Sequence, residues 1–292
     1  MTNLFTYLSN WKLKYICALI VFLCIGVGNV WGAEALVYTL DYYATGSGTQ
    51  SSYTGTADFT SSGITWNVPG NQTMDPPRIG GGANTSGTNI IRSIYSKTAI
   101  SSNVCKVTIT HGAKSGITVN SVTLRVYSTA AKASTGGSAD ISNVSVDYVD
   151  DGTMIFSRPS GHNWTGRFYR IDYDLTWTSS KKAKYIQFSE ANFYKYTYTV
   201  SYNNNGGSGT LTDSSSPYNE GATVTVKSNT FTRSGYTFDH WDTKSDDSGT
   251  DFAEGATFTI SKDTTFYAQW EADAACSANP SIGTASLNGS FL

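Results

Sequence analysis

Short strand-like segments, separated by breaks rich in glycine, serine and asparagine, constrain the fold of this chain more than any other feature. From residue 36 to residue 196 no window keeps apolar residues at the 3.6-residue spacing of a helix. The segments are instead rich in β-branched and aromatic residues, or alternate between apolar and polar residues, as strands do. They are Leu36–Ala44, Ala57–Val68, Asn89–Ile100, Val104–Thr110, Ile117–Tyr127, Val144–Tyr148, Thr153–Ser157, Arg167–Trp177 and Lys184–Tyr194.

The segment from Phe168 to Leu175 indicates how these strands pack. Apolar and aromatic residues occupy every second position, which places them on one face of a strand: Tyr169, Ile171, Tyr173 and Leu175. Charged residues occupy the positions between them: Arg170, Asp172 and Asp174. Half-buried antiparallel strands alternate in this way. Eight or nine such strands are enough for two sheets packed face to face, so we predict an antiparallel β-sandwich, jelly-roll-like, over residues 36–196.

The composition excludes two functional classes. The 292 residues include 20 Lys and Arg against 22 Asp and Glu, which gives a formal net charge of −2. A strongly basic face for nucleic acid is therefore excluded. Aromatic residues make up 13% of the chain, which is too many for a disordered polyampholyte.

The first 35 residues differ from the rest of the chain. Two lysines precede an apolar run over residues 16–27, which is shorter than the ~20 apolar residues of a membrane span. A small-x-small pattern follows at residues 33–35. Together they predict a signal peptide over residues 1–35, and hence an exported protein of the cell envelope, cell surface or extracellular space, with no transmembrane span after cleavage. Cleavage after Gly32 and an uncleaved anchor are the alternatives.

An internal echo marks a second domain. Tyr218–Val226 recurs as Phe252–Ile260, an offset of 34 residues. In both copies an aromatic residue precedes a Glu-Gly pair, where glycine provides the positive φ of a tight turn, and a Thr-alternating strand follows. Two equivalent hairpins that pack into one small sheet explain the echo without any chemistry.

Four motifs in this second segment carry a family resemblance: Tyr198–Gly207, Ser234–Thr243, Gly255–Ile260 and Thr264–Trp270. In this order they resemble the internalin-type B-repeat, also called the Listeria-Bacteroides repeat, over residues 198–271. The resemblance implies a small β-grasp-like module, a setting in exported bacterial surface proteins, and no catalysis. Members often occur in tandem, whereas this chain has one copy.

A second resemblance concerns the sandwich, and a short stub follows the repeat. Ala183–Tyr194 is similar to the closing strand of galactose-binding-like jelly rolls of bacterial surface proteins and glycan-degrading enzymes. We divide the remaining chain into the sandwich at 36–196, the repeat module at 197–271 and a linker with the start of a truncated further domain at 272–292. A frayed tail is the alternative for the last segment.

Two cysteines lie beyond the signal segment, Cys105 and Cys276, too few for a disulfide framework. Cys105 shares a strand face with Val107 and Ile109, so we interpret it as a buried free thiol that acts as a small hydrophobic residue. Cys276 is either free or meant for a partner in a missing domain.

No set of residues indicates catalysis or a cofactor. Three histidines occur, of which His111 is interpreted as a turn residue and His240 as structural. Metal-ligand spacings and the hydrolase nucleophile elbow are absent from the sequence, and we interpret the carboxylates of Asp147–Asp151 and of Asp172–Asp174 as solvated. The oxygen-rich run Asp246–Asp251 lacks the spacing of an EF-hand and is interpreted as a solvated turn, so no metal site is predicted.

A binding function would need exposed aromatic side chains. The loop containing His162, Asn163, Trp164 and Arg167 offers an indole for stacking on a sugar ring and polar donors beside it, and Trp66 is a second candidate. For Trp66, core packing beside Ile64 and Val68 is the favoured interpretation, and for Trp164 core packing is the alternative. Trp241 and Trp270 belong to the repeat motifs and are assigned to the core.

We therefore predict a non-catalytic exported bacterial protein with an interaction, adhesion or spacer role, whose partner is an extracellular protein or a glycan and not a nucleic acid. The alternative is a carbohydrate-binding module of a truncated glycan-degrading enzyme.

Overall fold

The computed structural model describes residues 32–41, 56–69, 78–80, 86–146, 152–178 and 184–273. Three predictions fall outside these residues. They concern the apolar run of the signal segment, the Asp147–Asp151 carboxylates, and the stub beyond residue 273 with Cys276.

Two antiparallel sheets make up the first part of the chain. One contains β1 (Ala33–Asp41), β4 (Arg78–Gly80), β6 (Val104–Ser115), β9 (Thr153–Ser157) and β11 (Tyr185–Tyr198). Its order is β1-β11-β6-β9, with β4 also paired to β11. The other contains β2 (Thr56–Ser61), β3 (Ile64–Pro69), β5 (Gly87–Ser96), β7 (Thr118–Tyr127), β8 (Ser142–Val146) and β10 (Phe168–Trp177). Its order is β2-β3-β5-β10-β7-β8.

The sandwich prediction is confirmed, because alternate residues of both sheets fill one apolar core. In β10 the predicted inner residues are all fully buried: Tyr169, Ile171, Tyr173 and Leu175. They pack with residues of β11 and β6 such as Phe188, Phe193 and Ile109. Each predicted strand segment coincides with at least one strand, although Ala57–Val68 is two strands joined by a two-residue turn at Ser62 and Gly63.

A short helix, α1 (Ala130–Thr135), follows β7. The Thr129 side chain caps it by accepting a hydrogen bond from the backbone N–H of Lys132. The helix contacts β5, β7 and β10, so it covers part of the outer face of the second sheet. Within the described part of the chain, no helix has the length and apolar character needed to cross a membrane.

The predicted signal-peptide cleavage site, after Ala35, lies within the first strand, β1. Ala33, Glu34 and Ala35 pair with Thr197, Tyr196 and Lys195 of β11. Cleavage after Ala35 would remove these three pairings, whereas the alternative cleavage after Gly32 would leave β1 intact.

The repeat consists of short strands: β12 (Val200–Asn203), β13 (Tyr218–Asn219), β14 (Thr223–Thr225), β15 (Tyr236–Asp242), β16 (Asp251–Phe252), β17 (Thr257–Thr259) and β18 (Thr264–Ala272). A four-stranded sheet has the order β12-β18-β15-β16, and β14 pairs with β17. The pairing of β12 with β18 is parallel. These strands enclose a separate apolar cluster around Trp241 and Phe266.

The internal echo corresponds to two equivalent turns. Gly221 and Gly255 have φ values of 77° and 75°, as the sequence predicted. The Gly221 N–H donates to the Ile260 carbonyl, and the Gly255 N–H donates to the Val226 carbonyl, both at 2.9 Å. The strands that follow the two turns, β14 and β17, pair with each other. Each copy therefore completes the other copy's backbone hydrogen bonding.

The division at residues 196 and 197 stays a prediction. β11 spans 14 residues without a break and contributes Phe193 to the sandwich core and Tyr198 to the repeat core.

Candidate functional site

The two tryptophans predicted as stacking platforms are buried. Trp66 has no exposed surface, and its Nε1 donates to the Tyr38 hydroxyl at 2.9 Å. Trp164 is also fully buried and packs edge-on against Tyr169, with ring centroids 6.1 Å apart. Neither indole can stack on a sugar ring. The candidate stacking role of Trp164 is therefore wrong, whereas Trp66 packs in the core, as the sequence favoured. The physical reason is that the apolar area of an indole favours the core even when its sequence neighbours are polar.

The polar residues of the same loop face solvent and bond within the loop. The Asn163 side chain accepts a hydrogen bond from the Thr165 N–H at 2.8 Å. His162 Nδ1 lies 3.3 Å from the Ser160 carbonyl. Arg167 Nε donates to the Asn163 carbonyl at 3.5 Å. Ligand binding by His162, Asn163 and Arg167 therefore stays a prediction, without the indole that was expected to accompany them.

His111 does not lie in a turn, contrary to expectation. It is part of β6, is buried, and its Nε2 lies 2.7 Å from the Tyr173 hydroxyl of β10. The pair thus links the two sheets across the core. Because both side chains are buried, they serve packing and hydrogen bonding there.

Asp172 was expected on a solvated face, but it is buried. Its Oδ1 accepts from Arg170 Nε at 2.6 Å and from the Ser93 hydroxyl at 2.5 Å. Its Oδ2 lies 3.0 Å from Arg125 Nε. Arg170 also donates to the carbonyls of Ala133 and Ser134 in α1. The helix therefore covers this part of the sheet, which is why the outer position of Asp172 is not a solvated one.

The sandwich and the repeat are joined at the Glu-Gly turn of the first echo. Arg158 Nη2 donates to both carboxylate oxygens of Glu220, at 2.9 and 2.8 Å. Asn103 Nδ2 donates to the same carboxylate at 3.0 Å, and its Oδ1 accepts from the Trp164 N–H at 2.9 Å. Next to these contacts, Thr197 of β11 pairs with Asn219 of β13. Backbone pairing and a partly buried ion pair thus hold the junction together.

Two surface depressions accompany these elements in the described residues. One lies at the junction, beside Asn103, Tyr196 and Glu220, and measures about 40 Å³. The other is an open groove of about 330 Å³ in the repeat, beside Tyr202 and Phe231. Small-molecule sites enclose about 300–1,000 Å³, so only the groove reaches that size.

Four acidic or imidazole side chains converge at the hairpin formed by β15 and β16. His240 and Asp242 lie two residues apart on β15, and Asp242 pairs directly opposite Asp251. Asp247 lies in the connecting turn with a φ of 59°. One donor atom from each of the four side chains lies within 4.8 Å of the others.

His240 sits between carboxylates. Its Nε2 lies 3.0 Å from Asp247 Oδ1 and 3.4 Å from Asp251 Oδ1, and its Nδ1 lies 3.0 Å from Asp239 Oδ2. Burial by itself lowers the pKa of His240. The hydrogen bonds to Asp239 and Asp247 outweigh this effect, so the pKa is raised above its ordinary value.

Sequence reasoning found only half of this cluster. It singled out the turn containing Asp247 and Asp251, interpreted His240 as structural, and gave no role to Asp242. Asp246, the first residue of that turn, instead accepts from the Ser248 hydroxyl at 2.7 Å. The available signal was the His-x-Asp spacing, which places both side chains on one strand face next to an acidic turn.

Comparison with known proteins identifies the second part of the chain. The family model of the Listeria-Bacteroides repeat domain matches residues 198–269. No curated protein matches the chain. The match includes the paired echoes, Trp241 of the repeat core and the β15–β16 hairpin. Residues 198–269 of this chain are a Listeria-Bacteroides repeat domain.

Proposed function

We propose that this chain is a non-catalytic part of an exported bacterial surface protein, in which the sandwich and the repeat act together in spacing, adhesion or interaction. The match at residues 198–269 supports the setting, because the Listeria-Bacteroides repeat domain is found in bacterial surface proteins. The predicted signal peptide agrees with the same setting.

The junction carries the proposal. β11 belongs to the first sheet of the sandwich and also pairs with β13 of the repeat. Arg158 and Glu220 reinforce this pairing, and only 9% of the Arg158 side chain is exposed. A module that shares a strand with its neighbour keeps a fixed orientation relative to it, which a spacer or a presenting element requires. A freely jointed module would not do so.

The carbohydrate-binding alternative has lost its main support, since the two indoles that would stack on a sugar are buried. The exposed polar loop with His162 and Asn163 is what remains of that hypothesis.

Location is tested first. Intact bacterial cells producing the full chain are treated with protease and probed with an antibody, and a cytoplasmic protein serves as the control. Digestion of the chain while the cytoplasmic control survives supports the proposal. Protection until the cells are lysed would contradict it.

Binding is tested second, by screening the purified protein against matrix proteins and glycans beside the variants Asn163→Ala and Arg167→Ala. A protein ligand whose binding survives both changes supports an adhesion role. A spacer predicts no ligand. A glycan that binds the unmodified protein and neither variant would replace the proposal with a carbohydrate-binding function.

A further inference from the structure

We propose that His240, Asp242, Asp247 and Asp251 form a binding site for a divalent transition metal ion, with Zn²⁺ as the reference ion. The site lies at the β15–β16 hairpin of the repeat. It goes beyond the surface role proposed above and does not depend on it.

The spacing of the donor atoms suits a single ion. Zn²⁺ binds histidine nitrogen and carboxylate oxygen at about 2.0–2.2 Å in tetrahedral geometry, so its ligands lie roughly 3.3–3.6 Å from one another. His240 Nε2 is already 3.0 Å from Asp247 Oδ1 and 3.4 Å from Asp251 Oδ1. All four donor atoms lie within 4.8 Å of each other. Small side-chain movements would therefore complete the coordination.

Asp242 provides an independent sign of a missing ligand. This carboxylate has no exposed surface. Its Oδ1 accepts hydrogen bonds from the backbone N–H groups of Lys244 and Gly249, while its Oδ2 has no hydrogen-bond partner among the described residues. A buried carboxylate oxygen without a partner is costly unless it is paired or coordinates a metal. A cation in the cluster would satisfy it.

The turn holds the Asp242 carboxylate in place. A Cβ on Gly249 would lie 2.4 Å from Asp242 Oδ1 and 2.4 Å from the Thr243 hydroxyl oxygen. Only glycine lets the backbone approach the carboxylate this closely. The Thr250 N–H donates to the same Thr243 oxygen at 2.9 Å. The turn therefore orients one oxygen of Asp242 and leaves the other for a ligand.

His240 is oriented for coordination by its second nitrogen. Nδ1 lies 3.0 Å from Asp239 Oδ2, so a proton on Nδ1 leaves the Nε2 lone pair directed toward Asp247 and Asp251. Histidines that bind metals almost always donate their other ring N–H to a carboxylate, a carbonyl or water. His240 also lies within a β-bulge of β15 relative to β18, between Phe238 and Trp241. Bulges redirect side chains, and this one contributes to the orientation of His240.

The donor set selects the class of ion. Ca²⁺ prefers six to eight oxygen ligands and Mg²⁺ keeps much of its water, whereas imidazole favours zinc and other transition metals. The side chains of Asp247 and Asp251 are 55% and 73% exposed, which gives the ion a path from solvent.

The test is calorimetric titration of the tag-free, full-length protein with ZnCl₂ after dialysis against a chelator. We expect one Zn²⁺ per chain, no comparable binding of Ca²⁺, and a raised melting temperature in Zn²⁺. X-ray absorption of the zinc-loaded protein should show nitrogen and oxygen ligands without sulfur. Absence of Zn²⁺ binding, or preferential binding of Ca²⁺, would overturn the proposal.

Variants locate the site. His240→Ala and Asp242→Asn should abolish the stoichiometric binding, and circular dichroism shows whether each still folds. Asp246→Asn and His162→Ala are the matched controls, because both residues lie outside the cluster, and they should bind like the unmodified protein. Binding that persists in both cluster variants would show that Zn²⁺ binds elsewhere.

Asp239→Asn gives a graded readout that does not remove a ligand. Loss of such an outer hydrogen bond reduces metal affinity by about 10–100-fold, and we expect the dissociation constant for Zn²⁺ to rise within this range. An unchanged constant would argue against the proposed orientation of His240. This variant keeps the test decisive if the Asp242 variant fails to fold.

Discussion

Arg158 of the sandwich donates from one guanidinium nitrogen to both carboxylate oxygens of Glu220 in the repeat, at 2.9 and 2.8 Å. The two residues are 62 positions apart. Arg158 directly follows β9, and Glu220 directly follows β13. Their contact lies beside the pairing of β11 with β13, at the junction of the sandwich and the repeat.

The variant Arg158→Ala should loosen this junction. Hydrogen bonds to charged groups contribute about 1.5–3 kcal/mol, and we expect a loss of this order in the free energy of unfolding. Urea denaturation measures it, and limited proteolysis near residue 197 should become faster. Arg167→Ala is the control, because the Arg167 side chain donates to the Asn163 carbonyl within its own loop. Equal stability of the two variants would mean that β11 alone holds the junction.

The variant Trp164→Ala should unfold or strongly destabilise the sandwich. Removing a fully buried tryptophan leaves a cavity and costs about 3–5 kcal/mol. Trp164→Phe should cost less, since it keeps a ring against Tyr169 and removes an indole N–H that has no partner among the described residues. Urea denaturation compares the two. A Trp164→Ala protein as stable as the unmodified one would show that the indole is exposed after all.

The acidic residues Asp172 and Asp174 should respond differently to mutation. Asp172→Ala leaves the guanidinium groups of Arg170 and Arg125 without their carboxylate, and breaking a buried pair costs about 3–5 kcal/mol. Asp174 bonds to Asn120 at 3.0 Å near solvent, so Asp174→Ala should change stability by less than about 0.5 kcal/mol. Thermal denaturation of both variants checks this difference, and equal effects would contradict the role given to α1.

Cys105 should resist alkylation in the folded protein. Burial raises the pKa of its thiol to about 12, and the residue is 1% exposed. At pH 8 the reactive thiolate is therefore scarce as well as shielded. Peptide mass spectrometry after iodoacetamide treatment distinguishes Cys105 from the other cysteines. We expect modification only after unfolding in urea, and rapid modification of the native protein would contradict the burial.

The raised pKa of the Cys105 thiol predicts that the free energy of unfolding depends on pH. An unfolded thiol titrates near pH 8.5, below the folded pKa of about 12. As pH rises through this interval the unfolded chain loses the proton first, so unfolding becomes more favourable. Stability should fall between about pH 8.5 and 12 more steeply in the unmodified protein than in Cys105→Ala. Parallel curves would refute this contribution.

Much of the architecture was predictable because it depends on local periodicity. The alternation in β10 identified the four buried residues from Tyr169 to Leu175, and the Glu-Gly echoes identified the positive φ of Gly221 and Gly255. Strand faces and turn conformations are set by neighbours within a few residues.

The candidate sites were less predictable because they depend on residues that are distant in sequence. The polar neighbours of Trp164 in the sequence do not indicate that its indole packs against Tyr169 in the core. Asp172 is on the outer face, as its position requires, yet α1 folds over it. Asp242 and Asp251 meet only because β15 and β16 pair.

The sequence by itself therefore determined the strands, their inward faces, the paired turns and the resemblance of the second part to the Listeria-Bacteroides repeat. The tertiary structure decided which outward positions are covered, where the two parts join, and which acidic side chains surround His240. The physical reason is that alternation assigns a residue to a face through local geometry, whereas burial and charge pairing depend on which distant segment packs against that face.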